Sequence, residues 1–231
     1  MKQNKNRTAR IIAVLLATAL LLLCTGCSKK PAQPNAEPTP DESTELKNLD
    51  VGSGLEILSA GSYAGVYVED GSDEPVSDVF CIFVKNNGDS DVEYAHIALS
   101  RGSESYEFDI STLPAGETVQ ALELSRQSEP ENTAQLTGAV TLFAPFEEPI
   151  SMHDDMFEIT TNGNAVTVKN LTDTDFSQVY LCYKNANGDA LVGGISYRCT
   201  IGALAAGESK SGATSHLSEG ASRLMFVGYV Q

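Results

Sequence analysis

The chain has 231 residues, 42 % of them apolar, and sets 31 Asp and Glu against 15 Lys and Arg, a net charge of −16. That length can bury a sizeable core. The scattered cations form no basic stripe, which excludes binding to nucleic acid through phosphate neutralisation and electrostatic docking on anionic lipid.

Residues 1–26 read as a signal peptide. Lys2, Lys5, Arg7 and Arg10 precede an apolar run from Ile11 to Leu23 interrupted only by Thr18, and the small residues Thr25 and Gly26 follow. A basic start, a short apolar stretch and a small-residue cleavage site define such a leader, and the stretch is short for a span, which needs about 20 apolar residues. Cys27 comes next. Gly26-Cys27 resembles the lipobox of bacterial lipoproteins, although Cys24 stands where that family usually has Leu. The resemblance implies that Cys27 is the lipid-attachment residue and the mature N-terminus, anchoring an extracytoplasmic protein to the bacterial cell membrane. More than one acyl chain gives stable anchoring. An ordinary secreted protein cleaved nearby, with Cys27 incidental, is the other reading.

Residues 27–50 read as a disordered tether. Pro31, Pro34, Pro38 and Pro40 lie among Ala, Ser and Thr with no aromatic residue, a composition that cannot bury enough surface to fold. At about 3.1 Å per residue, such a Pro-rich chain reaches roughly 60–70 Å.

From residue 51 onward the pattern predicts an all-β chain. Val79 to Val84 is a continuous apolar run, as in a strand covered on both faces. Tyr106, Phe108 and Ile110 alternate with polar residues, and Thr118 to Leu124 is strand-like. Asn87-Gly88, Asn162-Gly163 and Asn187-Gly188 are turn signals, the last inside a hairpin. Only Ser215 to Arg223 offers a helical turn. Three cysteines, Cys81, Cys182 and Cys199, lie among apolar residues as small hydrophobes; a Cys182–Cys199 bridge is the alternative in an exported protein.

A weak internal repeat is present. Phe83-Val84-Lys85-Asn86 is echoed by Thr167-Val168-Lys169-Asn170, and Leu113-Pro114-Ala115-Gly116-Glu117 by Leu204-Ala205-Ala206-Gly207-Glu208, each in the same order around an acidic turn. The repeat predicts two small modules in tandem, 51–147 and 148–231, with a boundary at Phe146 to Ile150 between Pro145 and Pro149. The order V-K-N, acidic turn, strand, L-x-A-G-E, strand resembles immunoglobulin-like or FxLYD-like β-sandwich modules of bacterial lipoproteins. Val166 to Tyr229, with Tyr183-Lys184-Asn185, Gly193-Gly194-Ile195 and Ser222 to Val227, is similar to the C-terminal part of uncharacterised lipoproteins of Gram-positive anaerobes. That resemblance implies a surface lipoprotein and supplies no catalytic residue.

No nucleophile elbow, S-x-x-K, H-E-x-x-H or phosphate-binding loop occurs. Gly52-Ser53-Gly54 reads as a flexible joint. His96, His153 and His216 have no metal-ligand spacing; His153-Asp154-Asp155 is the nearest approach to an acid/base cluster and reads as a solvated turn. Four acidic loops (Asp70 to Glu74, Asn87 to Asp91, Asp173 to Asp175, Asn185 to Asp189) have calcium-like composition but read as ordinary loops. No catalytic residue, cofactor or metal is expected. The expectation is a non-catalytic binding or scaffold module whose partner is an envelope protein or wall polymer, with the Asn185 to Gly194 loop as candidate contact; the plainer reading of its paired glycines, and the favoured one, is that they only let a long hairpin bend. The alternative is an accessory solute-capturing or hydrolytic lipoprotein with a site between the two modules.

Overall fold

The computed structural model describes residues 44–231; the signal peptide, Cys27 and most of the predicted tether lie outside them. Thirteen strands and one 3-10 turn, Thr133–Gln135, make up the fold. The chain is all-β, as the patterning predicts.

In the first half, β1 (Lys47–Gly52), β2 (Leu55–Val66), β3 (Pro75–Asn86) and β6 (Thr118–Leu122) form one layer, and β5 (Glu104–Leu113), β4 (Val92–Arg101) and β7 (Thr137–Pro145) the other. Period-2 alternation aims Ile57, Phe80, Ile82, Val84 and Val119 from one layer at Ile97, Leu99, Phe108 and Ile110 from the other, all completely buried. Phe80 meets Tyr106 and Phe108 edge-to-face, with centroids 5.1 and 5.4 Å away. The uninterrupted apolar run of β3 has its own cause. Tyr67, Val68 and Leu122 bury Val79 and Cys81 on the face away from this core, so β3 is covered on both sides.

The second half repeats the plan. β10 (Phe176–Asn187), β11 (Ala190–Leu204) and β13 (Ser222–Val230) face β8 (Phe157–Asn162), β9 (Ala165–Asn170) and β12 (Ser209–Ala213). Leu181, Tyr183, Cys199 and Val227 pack there against Phe157, Val166 and Val168. Cys199 points into this core. Cys182 stands opposite Arg198 in the ladder, and Leu181 opposite Cys199, so the two sulfurs leave opposite faces of the sheet and no disulfide joins them. The stretch 215–221 forms turns with no helix.

The repeated sequence marks a repeated clamp. Asn86 and Asn170 are buried, 1 % and 0 % exposed. Asn86 Nδ2 donates to the carbonyls of Ser90 (2.9 Å) and Leu113 (3.1 Å), and its Oδ1 accepts from Gly88 N–H. Asn170 Nδ2 donates to Thr174 (2.7 Å) and Ala205 (3.0 Å), and its Oδ1 accepts from Thr172 N–H. In each copy an aspartate then caps the alanine before the turn glycine: Asp91 accepts from Ala115 N–H and Asp175 from Ala206 N–H. Gly116 and Gly207 supply positive φ of 79° and 73°. Asn86→Ala or Asn170→Ala takes the partner from two carbonyls and one N–H around a buried side chain, and each is expected to lose about 1–3 kcal/mol of stability by urea unfolding. A loss under about 0.5 kcal/mol, as for an ordinary surface residue, would contradict the clamp.

Two expectations need correction. The first strand starts at Lys47 and Leu46 is buried in the first core, so folded chain reaches into the segment assigned to the tether; Thr133 Oγ1 fixes it by accepting from Leu46 N–H. Nor are the two sandwiches separate beads. β6 and β11 pair in parallel, Thr118 with Ala190, Val119 with Leu191 and Gln120 with Val192, which joins the halves in one seven-stranded sheet ordered β1-β2-β3-β6-β11-β10-β13. Leu191 and Met225, from the second half, sit in the first core.

Candidate functional site

The junction between the sandwiches holds the most unusual chemistry among the described residues. By alternation Lys184 falls on the face of β10 opposite the inward-pointing Tyr183, yet both are completely buried. Residues 67–74, between β2 and β3, form a strap over this place, and β5 closes it from the other side. Lys184 Nζ donates to the carbonyls of Ser111 (2.8 Å), Gly194 (3.1 Å) and Ile195 (2.8 Å). Three protons meet three acceptors, which is the pattern of an ammonium.

Glu69 of the strap makes the complementary arrangement. Its carboxylate accepts from Leu122 N–H (2.9 Å), from Gly194 N–H through both oxygens (2.9 Å each) and from Ile195 N–H (3.3 Å). Gly194 therefore links the two charges, giving its N–H to the acid and its carbonyl to the amine. Ser111 Oγ adds a bond to Gly194 O at 3.1 Å. Thr112, next to Ser111, is held at φ 51°, a rare conformation for a β-branched residue. Burial pushes the Lys184 pKa down to about 7, opposed by the Glu69 charge. Burial raises that of Glu69, against the pull of the Gly194 and Leu122 N–H groups. Every polar atom of the pair is engaged on backbone, which makes it a clasp between the two sandwiches.

A second latch secures the same strap. His216 Nε2 lies 2.9 Å from Asp73 Oδ2, and its ring stacks on Tyr197 at 4.6 Å and 10°; Tyr197 in turn stacks on Tyr183 at 5.4 Å. The Tyr197 hydroxyl is buried without a hydrogen-bond partner, and burial, then the Asp73 charge, pushes its pKa up to about 12. On the first-sandwich side, Arg126 grips Asp70 at 2.7 Å and Glu74 at 2.8 Å and lies over the Tyr67 ring. Hydrogen bonds from Ser72 and Arg126 hold the Asp70 pKa down to about 2.

The residues singled out in the sequence are thereby placed. The Asp70 to Glu74 loop spends its acids on Arg126 and His216. In Asn87 to Asp91, Asn87 binds Glu56 and Asp91 caps Ala115 and Ile150. Asp175 caps Ala206, and Asn185 Oδ1 accepts from Ser222 Oγ at 2.6 Å. Gly52-Ser53-Gly54 is the tight turn between β1 and β2, its three residues all at positive φ. His153 opens a turn and meets the Tyr229 ring edge-on. His96 joins a small cluster in which Asp109 Oδ1 accepts from Tyr94 OH at 2.7 Å and lies 2.7 Å from His96 Nδ1; that bond pushes the Tyr94 pKa up to about 12. Among the described residues no hydroxyl or thiol side chain bonds the His96 ring, and no group of three or more His, Cys, Asp or Glu is placed to hold a metal ion.

The candidate contact loop Asn185 to Gly194 is the tip of the β10–β11 hairpin; Asn187, Gly188 and Asp189 are exposed, while the end from Leu191 to Gly194 packs against the first sandwich. Gly193 and Gly194 are buried, against Val68 and against Asp109 and Glu69. The glycines do allow close backbone approach, but the backbone that approaches belongs to the same chain.

Compared with known proteins, the chain matches no family model, no curated protein and no solved structure.

Proposed function

We propose that this chain is a lipoprotein anchored through Cys27 outside the bacterial cytoplasm, and that it works as a non-catalytic binding or scaffold module presenting a rigid β-sandwich surface to an envelope protein or wall polymer. The observation that carries this reading is the clasped, continuous seven-stranded sheet, which makes one broad plate of two sandwiches, with the polar clusters of the junction turned inward on the backbone. Rigid plates suit recognition, since little ordering entropy remains to be lost on binding. A site for solute capture or hydrolysis between the modules finds less support, because the Lys184–Gly194–Glu69 clasp fills that place.

Three measurements test the reading. Cys27→Ala is expected to move the protein out of the membrane fraction and to abolish labelling by a palmitate analogue; normal labelling of this variant contradicts the anchor. In intact envelopes, crosslinking through a tagged chain is expected to recover a stable macromolecular partner. Turnover of substrate by purified residues 44–231 would instead support an enzyme.

A further inference from the structure

One end of the first sandwich carries a groove that the fold itself does not use. Two clefts share the Asp89–Ser90 turn as a wall. One, of about 170 Å³, lies between that turn and Phe146 to Pro149. The other, of about 160 Å³, lies between it and Phe143 and Pro145. Together they follow the chain from 143 to 149.

The floor is apolar. Phe143, on the wall of the second cleft, is 39 % exposed, and Pro145 and Pro149 continue the apolar lining. The rim is acidic. Asp89, Glu147 and Glu148 are exposed, and none takes part in an ion pair among the described residues. The acids of the strap, by contrast, are held by Arg126 and His216. The walls are fixed: Phe146 N–H donates to Asp91 O and Ile150 N–H to Asp91 Oδ2, both at 2.9 Å, while the Phe146 ring packs edge-on against Phe226 at 5.4 Å.

We propose that this groove docks an extended cationic segment of a partner protein, with Lys or Arg side chains on the rim carboxylates and an apolar side chain between them on Phe143. Charge complementarity sets the choice of partner. Three unpaired carboxylates repel anionic polymers and leave cations as the matching groups, whereas a purely apolar segment would strand them under a dry contact. The proposal rests on the binding-module reading and specifies where the partner lies and what it carries.

The test uses residues 44–231 and a short fluorescein-labelled peptide of alternating lysine and leucine, read by anisotropy at low salt. Wild type is expected to bind, more weakly as salt rises. Asp89→Asn/Glu147→Gln/Glu148→Gln is expected to weaken binding about tenfold, and Phe143→Ser about fivefold, both with the thermal midpoint of the wild type. Asp154→Asn/Asp155→Asn/Asp173→Asn removes the same charge from the second sandwich and should change affinity less than twofold. Equal losses in the two charge variants would mean attraction by overall charge alone and would overturn the proposal, as would no binding by wild type. If the groove variants lose the peptide but keep the partner crosslinked in envelopes, the groove assignment falls and the binding-module reading stands.

Discussion

Gly194→Ala is expected to be among the most damaging single substitutions in the folded region, with a loss on the order of 4 kcal/mol. A methyl group there would overlap the Asp109 carbonyl and crowd Glu69 Oε2. Neither obstacle is the end of a flexible chain, because Asp109 belongs to the β5 ladder and Glu69 is fixed by its N–H donors. Relief therefore requires β5 and β11 to part, which breaks the Glu69 bonds and the Lys184 cage together. Urea unfolding should show the loss, and limited proteolysis should find new cutting in the 146–156 connector. A wild-type midpoint for this variant would refute the close approach.

Lys184→Met is expected to cost about 3–5 kcal/mol near neutral pH, since it leaves the three carbonyls and the Glu69 carboxylate without their counterpart. The effect should depend on pH with a definite sign. Burial lowers the Lys184 pKa from 10.5 to about 7, so between those values the unfolded chain binds the proton that the folded chain has released. Stability contributed through Lys184 then rises with pH across that window. The stability gap between wild type and Lys184→Met should widen from pH 7 to about pH 9. A gap that stays flat across that window would mean that the carbonyl cage holds the ammonium at least as strongly as burial opposes it.

Local patterns were enough to read much of this fold. The alternation of Tyr106, Phe108 and Ile110 placed β5, and Asn187-Gly188 placed the turn of the β10–β11 hairpin. The paired Asn86/Asn170 and Gly116/Gly207 echoes located a duplicated clamp whose hydrogen bonds now explain them. The clasp was not legible. Lys184 beside Asn185, late in a strand, has the look of a solvated residue, and its burial comes from a strap more than 100 residues earlier, as the Glu69–Gly194 separation of 125 shows. One signal was available: Glu69 directly follows Tyr67-Val68, and Gly193-Gly194 requires some close neighbour. Pattern alone could not say that each was the other's partner.

The placement of Leu191 and Met225 inside the first core bears on the order of events as the chain folds. A protein that emerges from its N-terminal end delivers strands β1 to β7 long before those two side chains arrive. Until then the first sandwich lacks two of its buried residues and β6 has an open edge, a hazard for pairing with other chains. Closing contacts this distant in sequence is slow. Maturation of the first sandwich is therefore expected to wait for the last strand, and chains halted near residue 220 should remain protease-sensitive throughout, not only in their second half.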